Sequence, residues 1–537
     1  MIPEEIRQDT FATWDGLDVE AAAQRLLDGM LTSPWGLTTP SVYETGRLVA
    51  LVPWLTGHAE RLRFLLRTQN ADGSWGVQQA GYALVPTLSA TEALLCELCS
   101  ARTRRSASTE LVKAADQGLR ALFRLLGRGG AAGLPDMPAI EHITPVLIDS
   151  INRRLDGLRD RPATGMESWQ ESARLRAPAG FDGAVLDAVR RRLRDGGAIP
   201  EKLLHALEIA GDAAAGAPAV HPQPVGTVGA SAAATAAWLG ERGAQEADHP
   251  ARRYLETAVS EHGGPVSVAT PITNFERAWA LGWLIRAGVP VAVPPALIGE
   301  MIRALGPDGA PGGAGLPADA DTTSGLLYAL SLAGAPQSPD VLWPYETETH
   351  FCTWQGENGQ SVTTNAHALE AFGHYRELVP ESGAAHRYAA AVRKSSRWLL
   401  SQQGADGSWH DRWHASPYYA TACAALALGR FGGTGAKRAT GRAVDWVLAT
   451  QHPDGSWGHW DGTAEETAYA IHVLRLCGNG HSDETAAVDR GGAFLRSAMW
   501  LIHTPDGLPP LWHDKDLYTP LTVVRAAILG ALRLTRT

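Results

Sequence analysis

Two aspartates in the C-terminal half of the chain stand in a pattern that suits proton donation. Asp319 and Asp321 are separated by one residue and precede the helical stretch Gly325–Leu332. Acidic residues before such a stretch are typical of a helix N-terminus, where they cap free N–H groups. The same arrangement serves acid catalysis, because a neighbouring carboxylate and apolar surroundings raise the pKa of a carboxyl group and keep its proton in place. The local pattern alone favours capping, so the surrounding elements must decide between the two roles.

The composition indicates a large globular protein and excludes several other classes. The 537 residues suffice for two large domains or three ordinary ones. Hydrophobic residues make up 45% and charged residues 19%, which excludes a disordered chain or a long coiled coil. A net charge of −10 argues against general nucleic-acid binding, which depends on Lys and Arg. Three features predict a cytoplasmic protein. The chain has five cysteines, it has no apolar run of membrane-spanning length, and its N-terminus is acidic and lacks a signal-peptide core.

A seven-residue motif, Q-x-x-D-G-S-W, occurs three times among segments of helical periodicity. The copies begin at Gln69, Gln403 and Gln451, and the last two begin 48 residues apart, which is the length of two helices with their turns. Strand patterns are scarce, so we predict an all-α fold in which each copy marks one αα-hairpin. The Asp-Gly pair favours a tight turn, and we expect the Gln amide to bond free N–H groups at the next helix start, beneath the Trp indole. A degenerate copy, Thr504-Pro505-Asp506-Gly507 followed by Trp512, predicts a closed ring of hairpins in the C-terminal half.

This motif resembles the QW repeat of the class II terpene cyclases, a family of triterpene cyclases and their diterpene relatives. The resemblance implies two α/α-barrel domains, called β and γ, with γ inserted after the first helix of β. We therefore expect the β domain at residues 1–30 plus 272–537 and the γ domain at residues 31–271. Blocks similar to those of bacterial members begin at Ser41 (S-V-Y-E-T), Asn274 (N-F-E-R-A-W) and Leu517 (L-Y-T-P).

The segment with the two aspartates resembles the D-x-D-D motif of the same family, whose middle Asp protonates a terminal double bond or epoxide. The resemblance assigns this role to Asp321, with Asp319 as its partner. Thr322 replaces the third Asp, and the resulting D-x-D-T-T resembles the variant associated with bacterial drimenyl diphosphate synthases. The resemblance also places Asn365 and His367 where a side chain could hold the second oxygen of the acid. For His367, a hydrogen-bonded core histidine is the alternative.

An aromatic cavity and a diphosphate site follow from the resemblance as well. Aromatic faces stabilise a carbocation without trapping it. Six aromatic residues near the family blocks are candidates for the cavity, with core packing as the alternative for each: Trp354, Phe275, Trp279, Tyr418, Trp460 and Tyr518. Asp136 and Glu141 match a D-x4-E element that implies Mg²⁺ bridging to diphosphate oxygens, with a solvated loop as the alternative. Lys202 is a candidate diphosphate contact, or a surface lysine.

These features predict an enzyme that cyclises a small isoprenoid diphosphate by protonation. No Asp-Asp pair of an ionising D-D-x-x-D motif occurs in the sequence, so the diphosphate is expected to stay on the product. The expected reaction converts farnesyl diphosphate to drimenyl diphosphate, and conversion of geranylgeranyl diphosphate to a copalyl-type diphosphate is the alternative. Outside the class, two hypotheses stay open: an α/α-barrel glycoside hydrolase, whose two carboxylates would face each other across a groove, and a non-catalytic interaction barrel. The oligomeric state is not predicted.

Overall fold

The computed structural model describes residues 18–100, 108–127, 134–160, 164–169, 174–178, 180–181, 183–381, 383–498 and 507–536. The Thr504-Pro505-Asp506 part of the degenerate motif copy lies outside these ranges. Within them, no helix is both long and apolar enough to cross a membrane.

The described part of the chain is mostly helical, which confirms the all-α prediction. Its one sheet is a short antiparallel pair, β1 (Ala310–Pro311) and β2 (Ala318–Asp319), in which Ala310 lies opposite Asp319. The α-helices are α1 (Val19–Thr32), α2 (Val42–Leu51), α3 (His58–Arg67), α4 (Leu84–Cys99), α5 (Thr109–Gly127), α6 (Ile140–Asp160), α7 (Ala184–Arg194), α8 (Ala232–Leu239), α9 (Arg242–Gln245), α10 (Pro250–Glu261), α11 (Thr273–Arg286), α12 (Pro295–Ala304), α13 (Ala320–Leu332), α14 (Val362–Leu378), α15 (Ala385–Ser401), α16 (Pro417–Phe431), α17 (Lys437–Ala449), α18 (Ala464–Cys477), α19 (Ser482–Ser497) and α20 (Leu521–Leu534). Short 3₁₀ helices occupy Glu167–Trp169, Glu201–Ala213, Pro339–Tyr345 and Thr434–Ala436.

Six helices of the C-terminal half form a closed inner ring. In order around the ring they are α11, α13, α14, α16, α18 and α20, and α20 packs back on α11. Long stretches of these helices, such as Val362–Gly373, are buried on every face, as expected for a helix surrounded by others. The outer layer consists of α1, α12, the 3₁₀ helix Pro339–Tyr345, α15, α17 and α19. The result is a closed α/α barrel, as the repeat predicts.

A second group of helices packs beside this barrel. Here α2, α4, α6, the 3₁₀ helix Glu201–Ala213 and α8 contact one another in turn, and α8 returns to α2. The barrel core takes its apolar residues from Val19–Met30 and from Val268 onward. Two further clusters draw on residues between Val42 and Val266, and one of them also contains Leu517. The boundaries predicted for the β and γ domains stay a prediction.

Each copy of the Q-x-x-D-G-S-W motif ties a turn to the helices around it. The buried tryptophans Trp75, Trp409 and Trp457 donate their indole N–H to the carbonyl ten residues earlier, at 2.7 to 2.8 Å. The Gln side chains donate Nε2–H to the carbonyl of the motif Gly and to a carbonyl of a following helix. The expectation that the Gln amide bonds free N–H groups at a helix start is therefore wrong. Its Nε2 donates to carbonyl oxygens, and Oε1 of Gln451 accepts from the Arg490 side chain.

Candidate active site

A cavity of about 390 Å³ lies between the barrel and the second group of helices. The barrel wall carries Asp319, Asp321 and several aromatic rings, and the opposite wall comes from residues 138–142 and 185–210. Most of the lining side chains are apolar, so the two aspartates face an environment that disfavours charge. The cavity therefore joins the acid motif to both parts of the fold.

The acid segment is fixed by its backbone before α13 begins. Asp319 ends β2 and is the N-cap of α13, and its carboxylate accepts a hydrogen bond of 2.6 Å from the N–H of Thr322. The Ala320 N–H donates to the Thr353 carbonyl at 2.9 Å, which ties the helix start to the neighbouring loop. Thr322 is buried and also lines the cavity. Capping is thus performed by Asp319, and Asp321 in the first helical turn lies in the cavity wall.

Asp321 is paired with His367 of α14. The Nδ1 atom of His367 lies 2.8 Å from Oδ1 of Asp321, and the two side chains are 9% and 17% exposed. Burial alone would lower the pKa of His367, but the charge of Asp321 and the hydrogen bond to it raise that pKa well above its usual value. Burial and the adjacent Asp321 raise the pKa of Asp319 to about 7. The site therefore retains protons that exposed carboxyl groups would release.

Asn365 does not share in this contact. Its amide accepts from the Phe351 N–H and donates to the carbonyls of Phe351 and Ser361, each at 2.9 Å. These bonds join α14 to the preceding loop, and none of them reaches Asp321. Of the two residues expected beside the acid, only His367 touches it.

A further, partly buried carboxylate near the acid escaped the sequence analysis. Asp411 accepts hydrogen bonds from the N–H groups of Val362 and Thr363 at the start of α14, and from that of Trp413. Its pKa is raised by burial and by the charge of Asp321. No motif surrounds Asp411, so nothing in the sequence indicated that this loop approaches the acid.

The aromatic candidates divide into cavity residues and packing residues. Phe275, Trp354 and Tyr518 line the cavity. Trp279 lies outside the lining, with its ring 4.6 Å from that of Phe275 and 4.8 Å from that of His367. It therefore supports the cavity wall and the acid pair from behind.

Tyr418 and Trp460 do not line the cavity. The ring of Tyr418 packs on Trp446 of the outer layer at 4.6 Å, and Trp460 packs on Tyr82 at 5.8 Å. Tyr419, the next residue in α16, lines the cavity instead, because consecutive helical side chains point about 100° apart. Trp413 and Trp512 also line the cavity. The sequence signal for Trp512 was its place in the degenerate motif copy, and Trp413 and Tyr419 had none.

Two of the three candidates for diphosphate and metal binding line the same cavity. Lys202 lines it, forms an ion pair with Glu357, and has its ammonium 5.6 Å from the Trp354 ring. Glu141 also lines the cavity and is half exposed. Asp136 lies outside the lining, is 69% exposed, and has Oδ1 3.2 Å from Nη2 of Arg412.

Asp136 and Glu141 form no complete metal site by themselves. No group of three or more His, Cys, Asp or Glu side chains in the described ranges is arranged to hold a metal ion. Mg²⁺ commonly takes one or two protein carboxylates and completes its octahedral shell with water and phosphate oxygens. Glu141 and Asp136 would fit this kind of site only if Asp136 left Arg412 and a bound diphosphate supplied further oxygen ligands.

Comparison with known proteins identifies relatives over nearly the whole chain. Residues 360–500 match the family model of the squalene-hopene cyclase C-terminal domain. The chain is 44% identical over 524 residues to the ent-copalyl diphosphate synthase of Streptomyces sp. (strain KO-3988), covering 96% of each. It is 38% identical over 531 residues to the labda-7,13-dienyl diphosphate synthase of Streptomyces clavuligerus, covering 96% of this chain and 92% of that one.

A solved structure is similar over the same length. The ent-copalyl diphosphate synthase from Streptomyces platensis matches with a TM-score of 0.89 and 43% identity, over 97% of this chain and 100% of that chain. The barrel and the second helical group are thus both shared with that protein.

The raised pKa of Asp319 predicts a pH-dependent stability. Between its unfolded value near 4 and its folded value of about 7, the folded chain binds more protons than the unfolded chain. The contribution of Asp319 to the free energy of unfolding is therefore fully present at low pH, and it is lost as the pH rises through about 7. Asp319→Asn keeps a good N-cap and removes the charge. We expect the melting temperature of the unmodified chain to fall more between pH 5 and pH 8 than that of Asp319→Asn. Parallel pH profiles would contradict this assignment, and Asp489→Asn, an exposed site on α19, is the control.

Proposed function

Because the chain belongs to the class II terpene cyclases, we propose that it converts geranylgeranyl diphosphate to a bicyclic copalyl-type diphosphate. The D-x-D-T-T variant at Thr322 led us to expect farnesyl diphosphate and a drimenyl product. The relatives are named as copalyl and labdadienyl diphosphate synthases, so they favour the alternative substrate, geranylgeranyl diphosphate. We attach no substrate preference to Thr322 itself.

The observation that carries the proposal is the position of Asp321. Its side chain lies in the wall of an apolar cavity and its Oδ1 is engaged by His367. We propose that Asp321 transfers its proton to the distal double bond, forming a C–H bond and a tertiary cation. The next double bonds attack in turn and two rings close. The final cation then loses a proton to water, and Asp321 regains a proton from solvent before the next turnover. The diphosphate takes no part and stays on the product.

The same geometry weighs against the two hypotheses outside the class. A glycoside hydrolase needs two carboxyl groups on opposite sides of a sugar bond. Asp319 and Asp321 lie on one helix start, and the side chain of Asp319 is occupied in capping. An interaction barrel offers no reason for a buried acid and histidine in an aromatic cavity.

We further propose that the diphosphate binds at the end of the cavity formed by Glu141, Lys202 and Arg412. Mg²⁺ held between Glu141 and the diphosphate, with Asp136 as a second ligand, would neutralise part of the diphosphate charge. Lys202 would leave Glu357 and Arg412 would leave Asp136 to face the phosphate oxygens. This arrangement anchors the polar end of the substrate, so that its apolar chain extends toward Asp321.

Product analysis tests the substrate and the acid together. We expect the purified chain to turn geranylgeranyl diphosphate into a bicyclic alcohol after dephosphorylation, identified by gas chromatography and mass spectrometry, with a higher kcat/KM than for farnesyl diphosphate. Asp321→Asn should lower kcat by roughly 10²- to 10⁴-fold, because it removes the general acid. The exposed Asp489→Asn should be unaffected. A higher kcat/KM for farnesyl diphosphate would sink the substrate assignment, and an active Asp321→Asn would sink the assignment of the acid.

Metal titration tests the proposed Mg²⁺ site. Removal of divalent cations with EDTA should lower turnover, and added Mg²⁺ should restore it. Glu141→Gln should raise the Mg²⁺ concentration needed for half-maximal activity, because one anionic ligand is lost. Asp149→Asn, an exposed change on the same helix, should leave that concentration unchanged. Full activity of the Glu141→Gln chain at the Mg²⁺ requirement of the unmodified chain would rule out Glu141 as a ligand.

A further inference from the structure

Behind the aromatic wall of the cavity lies a buried carboxylate that the proposed reaction does not use. Glu465, near the start of α18, is 1% exposed. Its Oε1 accepts hydrogen bonds from Nε1–H of Trp512 at 2.7 Å and from the hydroxyl of Tyr469 at 2.9 Å, and lies 3.2 Å from Nε2 of His414. Its Oε2 is buried and has no hydrogen-bond partner among the described residues. A buried acid with this geometry calls for a role.

Trp512 connects this acid to the cavity. Its ring lines the cavity and lies 4.5 Å from the ring of Tyr419 and 5.4 Å from that of Phe275, which line it too. The backbone of Trp512 exchanges hydrogen bonds of 3.0 Å with Tyr518 and forms a bridge with His414. The indole is therefore fixed through its backbone on one side and through Glu465 on the other.

The contacts make Oε1 of Glu465 the common acceptor of the cluster. The Ser416 N–H and carbonyl both lie against Nδ1 of His414, at 3.0 and 3.2 Å, and fix the ring so that Nε2 faces Glu465. An oxygen that takes three donors acts as an acceptor toward each of them. His414 is the only basic side chain of the described residues within ion-pair distance of Glu465.

We propose that Glu465 is a positioning residue that holds Trp512 against the cavity and strengthens the negative potential of its ring face toward the carbocation. A carboxylate at the indole N–H draws the proton and pushes electron density into the ring. Trp is the best aromatic partner for a cation, and the attraction grows where water is excluded. Glu465 exchanges no proton and touches no substrate in this role. The proposal rests on the cyclase function proposed above.

A charge-only substitution separates this role from simple packing. In Glu465→Gln the amide oxygen can accept the same three donors, and the amide nitrogen replaces the oxygen that has no partner. We expect kcat for geranylgeranyl diphosphate to fall roughly 3- to 30-fold with little change in KM. The fraction of monocyclic or hydroxylated products should rise, because cations are less well stabilised and are quenched early. Trp512→Phe, which keeps a ring and loses the N–H, should shift the products in the same direction.

The double variant and a neighbouring acid complete the test. If Glu465 acts through Trp512, then Glu465→Gln should add little in the Trp512→Phe background. Glu466→Gln removes an equally buried acid that accepts from the His459 N–H and the Thr463 hydroxyl. This control is expected to change the melting temperature without changing the product distribution.

Two outcomes would overturn the proposal. One is a folded Glu465→Gln chain with unchanged kcat and products. The other is an additive effect in the double variant, which would mean that Glu465 acts apart from Trp512. If Glu465→Gln fails to fold, Trp512→Phe carries the test, and an unchanged product profile there overturns the proposal. If the unmodified chain forms no cyclised diphosphate, the proposed function and this inference are both overturned. If the unmodified chain cyclises the substrate and the Glu465→Gln chain behaves in the same way, only the role of Glu465 is overturned.

Discussion

The surrounding structure depends on the contact between Asp321 and His367, because in the proposed reaction a proton must be held inside an apolar cavity and still be released to a weak base. An alkene competes poorly for protons, so the acid cannot be an ordinary solvated carboxyl group. Burial and the adjacent Asp321 raise the pKa of Asp319, the neighbour of this acid in the motif, to about 7. His367, fixed on α14, holds one oxygen of Asp321 in place. The closed ring of helices then serves to keep α13 and α14 at a fixed distance.

The fold divides the tasks of the acid motif between neighbouring residues. Asp319 satisfies the free N–H at the start of α13, so Asp321 remains in the cavity wall. Behind this pair, Trp279 and Asp411 support the walls and the start of α14. The wall opposite the barrel comes from the second group of helices and carries Lys202 and Glu141. The proposed isoprenoid diphosphate would thus meet charged side chains for its head and apolar ones for its chain in one cavity.

Sequence reasoning succeeded where the determining contacts are local. The motif tryptophans bond to carbonyls ten residues away, so each copy predicts its own hairpin, and Asp319 caps the helix that follows it. It failed where packing sets the direction of a side chain. Tyr418 and Tyr419 are adjacent in α16, and only the rotation of that helix in the ring brings Tyr419 to the cavity. Asp411 lies in a loop far from the acid in sequence and accepts from the start of α14, and the Asn365 amide bonds to backbone groups. Substrate length depends on the whole cavity, which the identity of the single residue Thr322 does not define.

Isotope incorporation from solvent tests the central claim most directly. The carboxyl proton of Asp321 exchanges with water, so turnover of geranylgeranyl diphosphate in D₂O should place a single deuterium in each product molecule, at the carbon of the former distal double bond. The diphosphate should remain on the product, with no inorganic diphosphate released. A product without deuterium, or one formed with release of diphosphate, would contradict protonation by Asp321 and point to ionisation of the substrate instead.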